Sequence, residues 1–385
     1  MTDRVAVIGG GIVGVAHAWQ QAKRGANVTL FERGRLAAGA SVRNFGMVWP
    51  VGQPNGPLHA TALRSRQLWT EFLSDAKLWC DPCGSLHVAT RQDELDVLGE
   101  FAHNSRELGY ECQLISGEQA AEKSPALRAD ELKGALWSPT EMTVDPRQVI
   151  QRAPLWLHEK YGVDLQYGVR VREVSPTRLV DAHDRAWSFD RIIVASGVEI
   201  AELFPEVHRE AGLGACKLQM MRTIPQPNGW RLGALIASGL TLRHYATFRV
   251  CRTLDALKKR VARETPELDE YGVHVMASQN GDGNVVLGDS HEYGDAITPF
   301  DKERIDELML RELRRFLHLP EWTIAQRWHG VYATLPSEVQ FVHQPMPGVT
   351  IVIATGGAGM TMSFGLAEKL AAAGEAPVDA RRLAV

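Results

Sequence analysis

A glycine-rich turn near the N-terminus constrains the fold of this chain more than any other feature. The segment "RVAVIGGGIVG" places Gly9, Gly11 and Gly14 directly after the apolar run of residues 5–8. A short apolar run, G-x-G-x-x-G and small apolar residues predict a buried strand, a tight turn and a helix. A second apolar run, residues 28–31, ends at Glu32. The N-terminal segment is therefore predicted to be a βαβ unit.

This unit has the features of a dinucleotide site. Gly9 permits the turn, Gly11 lets a pyrophosphate approach the backbone, and Gly14 lets helix and strand pack closely. The pyrophosphate would lie at the helix N-terminus, where free N–H groups favour negative charge. Glu32 would accept the ribose hydroxyls, and its carboxylate would repel the 2′-phosphate of NADP.

Two further strand-and-glycine patterns decide between NAD and FAD. "FDRIIVASG" ends at Ser196 and Gly197, and residues 348–374 combine a strand, a glycine-rich turn and an alanine-rich helix. A second helix N-terminus at residues 357–361 could face the pyrimidine end of a flavin and stabilise its reduced, negatively charged form. The pattern therefore favours FAD, which binds in an extended conformation.

Seven segments carry a family resemblance: "VAVIGGGIVG", "VTLFERG", "GASVRN", "GSLHVA", "DRIIVASG", "RWHGVY" and "ATGGAGMTMS". With these segments in this order, the chain resembles the glycine/sarcosine oxidase branch of the D-amino-acid oxidase superfamily of FAD enzymes. The resemblance implies an α/β fold, α+β overall, in which an antiparallel-sheet substrate domain is inserted into a Rossmann-like FAD-binding domain. The FAD-binding domain is predicted to comprise 1–48, 142–215 and 326–385, and the substrate domain 49–141 and 216–325.

The periodicity of the insertions supports this division. The first insertion contains amphipathic helical patterns, and "DPRQVIQRAPLWLHEKYG" predicts a helix with Asp145 as N-cap and Pro146 at its first position. The second insertion is predicted to form antiparallel strands, including "LTLRHYATFRVC" and "GNVVLGDSHEYG". A helix capped by Asp301 is predicted to follow.

The resemblance assigns FAD contacts to residues in the glycine turns and in the "SVRNFGM" segment, which would cross the flavin. The expected FAD-binding residues are Gly9, Gly11, Ile12, Val13, Gly14, Glu32, Arg33, Ser41, Arg43, Asn44, Gly46, Met47, Val171, Ser196, Gly197, Gly357, Gly359, Met360 and Thr361.

The substrate side is expected to begin at Trp49 and Gln53. On a strand, Arg243 and Tyr245 would share one face and His244 the other, so either His244 or Tyr245 could contact substrate. The segment "RWHGVY" would run into the substrate pocket. The expected catalytic residues are His329, His244 and Tyr332, and the expected substrate-binding residues are Trp49, Gln53, Arg243, Tyr245, Arg327 and Trp328.

Two positions depart from the family pattern. Tyr332 stands where glycine oxidase-like relatives carry an arginine for the substrate carboxylate, and Val286 stands where sarcosine oxidase-like relatives carry a lysine that helps oxygen react. The segment "VRNFGMVWPVGQP" also resembles a subgroup associated with bacterial phosphonate breakdown. The resemblance therefore suggests an aminophosphonate substrate, with Arg43, Arg243, His244 or Arg327 as the group that meets the phosphonate.

The predicted function is FAD-dependent oxidation of a small primary or secondary amine, such as 2-aminoethylphosphonate or its N-methyl derivative. The amine would bind neutral, deliver a hydride to flavin N5 and form an imine that hydrolyses to an aldehyde or oxo product. Electrons would pass to O₂ or another acceptor. The alternatives are a glycine, sarcosine or D-amino-acid oxidase or dehydrogenase, and a non-catalytic FAD-binding subunit or assembly factor.

Composition excludes other classes of function. A net charge of −4 does not favour a nucleic-acid binder, and no apolar run approaches the length of a membrane span. Five scattered cysteines and the absence of a leader pattern favour the cytoplasm. "WCDPCG" precedes a predicted strand rather than a helix, so we expect neither redox nor metal use of that pair.

Overall fold

Two large sheets, two small sheets, ten α-helices and six short 3₁₀ helices make up the regular structure of the described part of the chain. The computed structural model describes residues 2–294, 297–336 and 338–373; residues 1, 295–296, 337 and 374–385, which belong to the predicted domain segments, lie outside the described residues. The helices are α1 (Ile12–Lys23), α2 (Pro57–Ala76), α3 (Gln92–Asn104), α4 (Gly117–Lys123), α5 (Pro146–Tyr161), α6 (Pro205–Glu210), α7 (Leu254–Glu264), α8 (Pro266–Glu270), α9 (Glu303–Leu313) and α10 (Gly359–Ala373). The strands are β1 (Arg4–Ile8), β2 (Asn27–Glu32), β3 (Met47–Val48), β4 (Cys80–Asp81), β5 (Ser85–Ala89), β6 (Gln113–Ile115), β7 (Gly134–Ser138), β8 (Met142–Val144), β9 (Asp164–Tyr167), β10 (Val171–Ser175), β11 (Arg178–Asp181), β12 (Ala186–Ser188), β13 (Arg191–Val194), β14 (Gly214–Pro225), β15 (Leu235–Ser238), β16 (Met276–Gln279), β17 (Asn284–Gly288), β18 (Glu292–Gly294), β19 (Ile324–Thr334), β20 (Gln340–Met346) and β21 (Val349–Ala354).

The first large sheet has the order β20-β21-β13-β1-β2-β9. Its pairs are parallel except β20–β21, which is antiparallel. Helices α1 and α10 cover one face, where Trp19 packs edge-on against Phe72 and Phe364. All six strands come from the segments predicted to form the FAD-binding domain, and the mixed α/β class is confirmed. The exact division into domains stays a prediction.

The second large sheet has nine strands in the order β18-β14-β17-β16-β15-β5-β7-β6, with β19 also paired to β14. Its pairs are antiparallel except β15–β5, which is parallel. Strands β5, β6 and β7 come from the first predicted insertion, while β15 to β18 come from the second. The sheet is therefore mixed at the one place where strands from the two insertions meet.

The strand predicted for "LTLRHYATFRVC" is wrong. Residues Gly239–Arg243 and Ala246–Val250 form two short 3₁₀ helices instead. Their backbone bonds close locally, as in His244 N–H to the Thr241 carbonyl at 2.9 Å, and do not join a neighbouring strand. His244 and Tyr245 therefore do not lie on opposite faces of a sheet.

The cap predictions have different outcomes. Asp145 caps α5 by accepting hydrogen bonds from the backbone N–H groups of Arg147 and Gln148, as predicted. The predicted Asp301 cap is wrong, because α9 begins at Glu303 and its N-cap, Lys302, makes no side-chain cap bond. The Asp301 carboxylate instead accepts Lys217 Nζ at 2.8 Å.

No helix in the described ranges has the length and apolar character needed to cross a bilayer.

Candidate functional site

Close backbone contacts require glycine at two positions of the turn after β1. Gly9 has φ +112°, and a Cβ built there would lie 2.3 Å from the Ala195 carbonyl oxygen. A Cβ on Gly14 would lie 1.9 Å from the Gly9 carbonyl oxygen. No side chain fits at either position. Because neither residue has a side chain, the ends of β1 and β13 and the start of α1 can approach one another around a cavity.

This first cavity contains most of the residues predicted to hold the adenosine and pyrophosphate. Glu32, at the end of β2, accepts the Gly10 N–H at 2.9 Å through Oε2 and the Gly34 N–H at 2.8 Å through Oε1. The Arg33 guanidinium pairs with Glu199 and Glu202, and the hydrogen bond that it donates to Glu199 raises its pKa. The predicted residues that line this cavity are Gly9, Gly11, Ile12, Val13, Glu32, Arg33, Ser41, Arg43, Val171, Ser196 and Gly197.

A second cavity continues from the first toward the nine-stranded sheet. Ile12, Ser41, Arg43 and Gly197 are among the residues that line both, so the two form one elongated space. The start of α10 closes one side of it. The predicted residues that line the second cavity are Ile12, Val13, Ser41, Arg43, Asn44, Met47, Trp49, Gln53, Gly197, His244, Tyr245, Tyr332, Gly357, Gly359, Met360 and Thr361.

These residues fit an extended FAD. The glycine cradle leaves room for a pyrophosphate where side chains would clash, and Glu32 stands at the adenosine end. The N-termini of α1 and α10 both open onto the elongated space, so each offers backbone N–H groups to a negatively charged partner. Gly357 has φ +76° and bends the chain into α10.

The segment after the first βαβ unit is fixed by contacts to both helices. Ser41 Oγ accepts the backbone N–H of Ile12, in the first turn of α1, at 2.9 Å. The Trp49 N–H donates to Thr361 Oγ1, in the first turn of α10, at 2.9 Å. Gly46 lines neither cavity; it has φ +74°, and a Cβ there would lie 2.1 Å from the Val144 carbonyl oxygen. Its close backbone approach is therefore to the end of β8.

Three predicted substrate-side residues lie away from the cavity. His329 Nδ1 lies 2.9 Å from Asp301 Oδ1, and only its carbonyl oxygen reaches the site, where it accepts Arg43 Nη1 at 3.3 Å. Arg327 pairs with Asp306 at 2.8 Å. Because side chains alternate along β19, the face that carries His329 and Arg327 points away from Tyr332. The third, Arg243, forms an ion pair with Asp269 outside the cavity lining.

Trp328 and Arg43 are joined at the edge of the site. Trp328 Nε1 donates to the Arg43 carbonyl at 3.3 Å, so it supports the segment that carries Arg43. Arg43 has no carboxylate within ion-pair distance among the described residues, and it is the arginine that lines the cavity.

Among the residues of the second cavity wall that the sequence reasoning missed are Phe45, His274, Asp289 and His291. His274 and Asp289 face each other through paired backbone bonds of 3.2 Å just beyond the β16–β17 hairpin. His274 and His291 lie within two segments predicted to be antiparallel strands, residues 271–279 and 283–294. Pairing those segments as a hairpin would have brought them together.

Burial controls the ionisation of this wall. It lowers the pKa of His291 to about 4 and the pKa values of His244 and His274 well below their usual range. It raises the pKa of Asp289 and, together with the nearby Cys216, that of Tyr332. The rings are therefore neutral near pH 7 in the absence of a charged ligand.

The two cysteines of "WCDPCG" do not lie in an environment that favours a reactive thiolate. Cys80 and Cys83 are half-buried, and burial raises the pKa of Cys83 to about 12. A thiol with such a pKa is not a thiolate near neutral pH.

Nearly the whole chain matches a single family of known proteins. The sequence matches the family described as DAO, FAD dependent oxidoreductase, over residues 4–373. It is 27% identical over 216 residues to glycine oxidase of Geobacillus kaustophilus (strain HTA426), a match that covers 53% of this chain. The chain spans 57% of that relative's length.

Solved structures agree over a longer range. The crystal structure of glycine oxidase from Geobacillus kaustophilus superposes with a TM-score of 0.75 at 19% identity, covering 97% of this chain and 94% of the other. Iminodiacetate oxidase from Chelativorans sp. BNC1 gives 0.70 at 20% identity, with 97% and 96% covered. The TM-scores of 0.75 and 0.70 establish a shared fold.

Proposed function

Because the chain belongs to the family of FAD dependent oxidoreductases, we propose that it oxidises a small primary or secondary amine. FAD is the cofactor of the family, and the elongated cavity fits it. The observation that carries the proposal is the part of the second cavity beyond α10. It is walled by Trp49, Tyr245 and the buried histidines, and Arg43 lines its cofactor side. Such an enclosed, mostly apolar space with a few polar groups suits a small substrate.

The proposal agrees with what similar proteins are named for. Glycine oxidase and iminodiacetate oxidase share the fold, and glycine oxidase also matches in sequence. When bound, FAD would supply two-electron oxidation, in which a hydride from the α-carbon of the amine passes to its N5. The resulting imine would hydrolyse to an aldehyde or oxo product and ammonia or an amine.

The chain's own residues position and enclose the substrate. Trp49 is 3% exposed, its ring centroid lies 6.2 Å from that of Tyr245, and both residues line the cavity, so the two rings would shield the reacting carbon from water. Thr361 and Trp49 are joined by a hydrogen bond, which couples this wall to the helix that faces the cofactor. The wall therefore holds the substrate at a fixed place relative to α10.

We propose an aminophosphonate, such as 2-aminoethylphosphonate or its N-methyl derivative, as the substrate. Tyr332 fills the position at which the resemblance expects a carboxylate-binding arginine. Of the cations considered, Arg327 and Arg243 are held by carboxylates elsewhere, and burial lowers the pKa of His244 so that its ring is neutral. Arg43 is left as the cation that can meet the anionic end, since its planar guanidinium can bind two oxygens at once. A phosphonate offers three oxygens for this contact.

Anaerobic titration of the flavin protein with single amines tests this proposal. We expect the aminophosphonates to bleach the flavin and glycine and sarcosine to leave it oxidised. Bleaching by glycine or sarcosine alone would make the chain an amino-acid enzyme. A flavin that dithionite reduces but none of these amines bleaches would favour the non-catalytic alternative. Admission of air then distinguishes an oxidase, which turns over with O₂, from a dehydrogenase.

Arg43→Gln sharpens the test, with Arg327→Gln as the matched control. We expect Arg43→Gln to raise the half-saturating aminophosphonate concentration at least ~10-fold, as for loss of a charge-assisted hydrogen bond, and Arg327→Gln to leave it unchanged. Flavin content is measured first. Loss of FAD from Arg43→Gln would assign the arginine to the cofactor instead.

A further inference from the structure

Three histidines from separate segments pack against one another in the wall of the second cavity, with the rings of His274 and His291 stacked and the ring of His244 tilted against both. The ring centroids of His244 and His274 are 4.1 Å apart, those of His244 and His291 4.5 Å, and those of His274 and His291 4.6 Å. All three line the cavity together with Asp289. We call these three residues the histidine stack. The proposed function uses these rings only as part of the cavity wall.

The stack has unused hydrogen-bonding capacity on its buried side. Neither ring nitrogen of His274 has a partner, and Asp289 Oδ1, 3.6 Å from His274 Nδ1, has none within hydrogen-bond distance among the described residues. A buried polar atom without a partner is costly, and such atoms in a cavity mark a place where a ligand or proton is received.

His291 is oriented by the backbone. Its Nδ1 lies 3.2 Å from the Gly272 carbonyl oxygen, which can only accept, so Nδ1 carries the hydrogen. The neutral ring therefore presents a lone pair at Nε2. Gly272 has φ +55°, and a Cβ on it would lie 2.8 Å from His291 Cβ. The close approach that fixes the ring thus depends on glycine.

The geometry favours a proton over a metal ion. The donor nitrogens lie within 4.8 Å of one another, as in some metal sites. However, the planes of His274 and His291 differ by only 18°. Imidazole lone pairs lie in the ring plane, so stacked rings direct them side by side and not toward one point. The titratable and charged groups that surround the stack are Asp289, Tyr245, Tyr293, Tyr332, Cys216, Arg243 and Arg249.

We propose that His291, backed by the other two rings of the histidine stack and Asp289, accepts the proton that a substrate ammonium must lose before its oxidation. This inference rests on the proposed function. An ammonium nitrogen has no lone pair to stabilise the carbon from which a hydride leaves. In the step, an N–H bond of the ammonium breaks and an N–H bond forms at Nε2 of His291, and no electrons are exchanged.

Burial does not prevent this transfer. One positive charge is in the cavity before the step and one after it, so desolvation penalises the ammonium and the imidazolium alike. Asp289, when ionised beside His274, would stabilise the charged stack. Because the rings are close together, one proton would be shared by the group and would not belong to a single residue.

The test is the pH dependence of flavin reduction in the anaerobic holoenzyme, with an amine that bleaches the wild-type flavin. His291→Asn keeps a donor for the Gly272 carbonyl and removes the basic nitrogen. At pH 7 we expect the limiting reduction rate of this variant to be at least ~30-fold below that of wild type. As the pH is raised and the amine loses its proton to solvent, the rate should rise about tenfold per pH unit toward the wild-type rate. His17→Asn, another buried histidine with both nitrogens unpartnered, is the matched control and should behave as wild type.

A binding measurement separates the base from a structural role. In holoenzyme labelled with ¹⁵N-histidine, an amine without an α-hydrogen should shift an Nε2 signal from the unprotonated to the protonated position, and His291→Asn should lack that signal. The same rate loss at every pH, an unchanged rate, or an unshifted Nε2 signal would overturn the proposal. So would a stoichiometric divalent metal that wild type retains and His291→Asn loses. If no amine reduces the wild-type flavin at any pH, the proposed function fails and this inference fails with it; reduction with a His291→Asn profile like wild type rejects only the inference.

Discussion

The two cavities that meet at Arg43 are built by different means. The first is shaped by backbone: Gly9 and Gly14 have no room for a Cβ, and the Glu32 carboxylate binds two backbone N–H groups nearby in the chain. The second is shaped by side chains from at least four distant segments, including Trp49 and the histidine stack. The first cavity therefore depends on close backbone contacts and the second on the packing of side chains. Substitutions should affect the two in different ways.

The largest effect is expected from Gly14→Ala. The new Cβ would lie 1.9 Å from the Gly9 carbonyl oxygen, and backbone cannot yield as a flexible side chain can. We expect at least about 3 kcal/mol of destabilisation of the turn and protein that purifies without flavin. The flavin-to-protein absorbance ratio measures this.

Gly99→Ala is the control for Gly14→Ala. Gly99 lies within α3, and the nearest atom to a Cβ there is Leu114 Cδ2 at 3.9 Å. Alanine is the better helix former by up to about 1 kcal/mol, so this variant should keep its flavin and gain stability. A Gly14→Ala protein with a full flavin complement would show that the first cavity is not fixed by its backbone.

The second cavity should be sensitive to a residue outside it, Glu141. Its buried carboxylate accepts the Val51 N–H at 3.0 Å and Ser85 Oγ at 2.9 Å, and so ties the 3₁₀ turn Pro50–Gly52 to β5. Glu141→Ala would leave these donors unpaired and create a void. We expect a loss of about 3 kcal/mol in the free energy of unfolding by urea.

Glu141→Gln distinguishes the hydrogen bonds from the charge. Glutamine keeps the volume and one acceptor oxygen, and burial already raises the pKa of this carboxyl. The Gln variant should therefore lose only about 1 kcal/mol and bind substrate nearly as well as wild type. Equal losses in both variants would mean that the negative charge matters more than the contacts.

The sequence predicted the glycine turn and the acidic residue of the first cavity because the rules that place them are local. Gly9, Gly14 and Glu32 lie within one βαβ unit, and strand, turn and helix geometry determine where they meet. The substrate wall could not be predicted in the same way. The family-like segment "RWHGVY" predicts His329 in the pocket, but strand alternation turns its ring toward Asp301, and His291 lines the cavity instead.

Arg243 illustrates the same limit. As a cation beside His244 it suggested an anion site, yet Asp269, 26 residues away, binds it outside the cavity. Which of two neighbouring side chains enters a cavity depends on whether the segment is a strand or a 3₁₀ turn. That depends on tertiary contacts, which propensity does not include.

Acid should lower the stability of the regions around both cavities by similar amounts. The pH dependence of stability therefore tests whether the two cavities also differ in electrostatics. His17, beside the first sheet, has its pKa lowered by burial to about 4, and His87, behind Trp49, to about 3, against 6.5 when exposed. At pH values between the folded and the unfolded pKa, the unfolded chain binds more protons than the folded chain. The free energy of unfolding therefore falls as the pH drops below about 6.5. Each histidine should contribute about 1 kcal/mol of loss between pH 6.5 and about 5.5.

Urea unfolding at several pH values measures this loss. His17→Asn and His87→Asn should each reduce the slope of stability against pH by up to one proton, and the double variant by up to two. Slopes that match the wild-type slope would mean that neither ring must be protonated in the unfolding reaction.

The smallest effect is expected from Tyr110→Phe, which removes one hydroxyl behind the substrate wall. Tyr110 donates to the Gln53 carbonyl at 2.7 Å and accepts Thr247 Oγ1 at 2.8 Å, so it joins the two segments that carry Gln53 and Tyr245. Phenylalanine keeps the packing against Phe101 and leaves two polar groups unpaired. We expect a loss of about 1 kcal/mol in the free energy of unfolding, a raised half-saturating substrate concentration and an unchanged flavin content. Flavin loss from this variant would mean that the two cavities are coupled, because a bond made behind the wall of the second would then control how the cofactor is held at the glycine turn of the first.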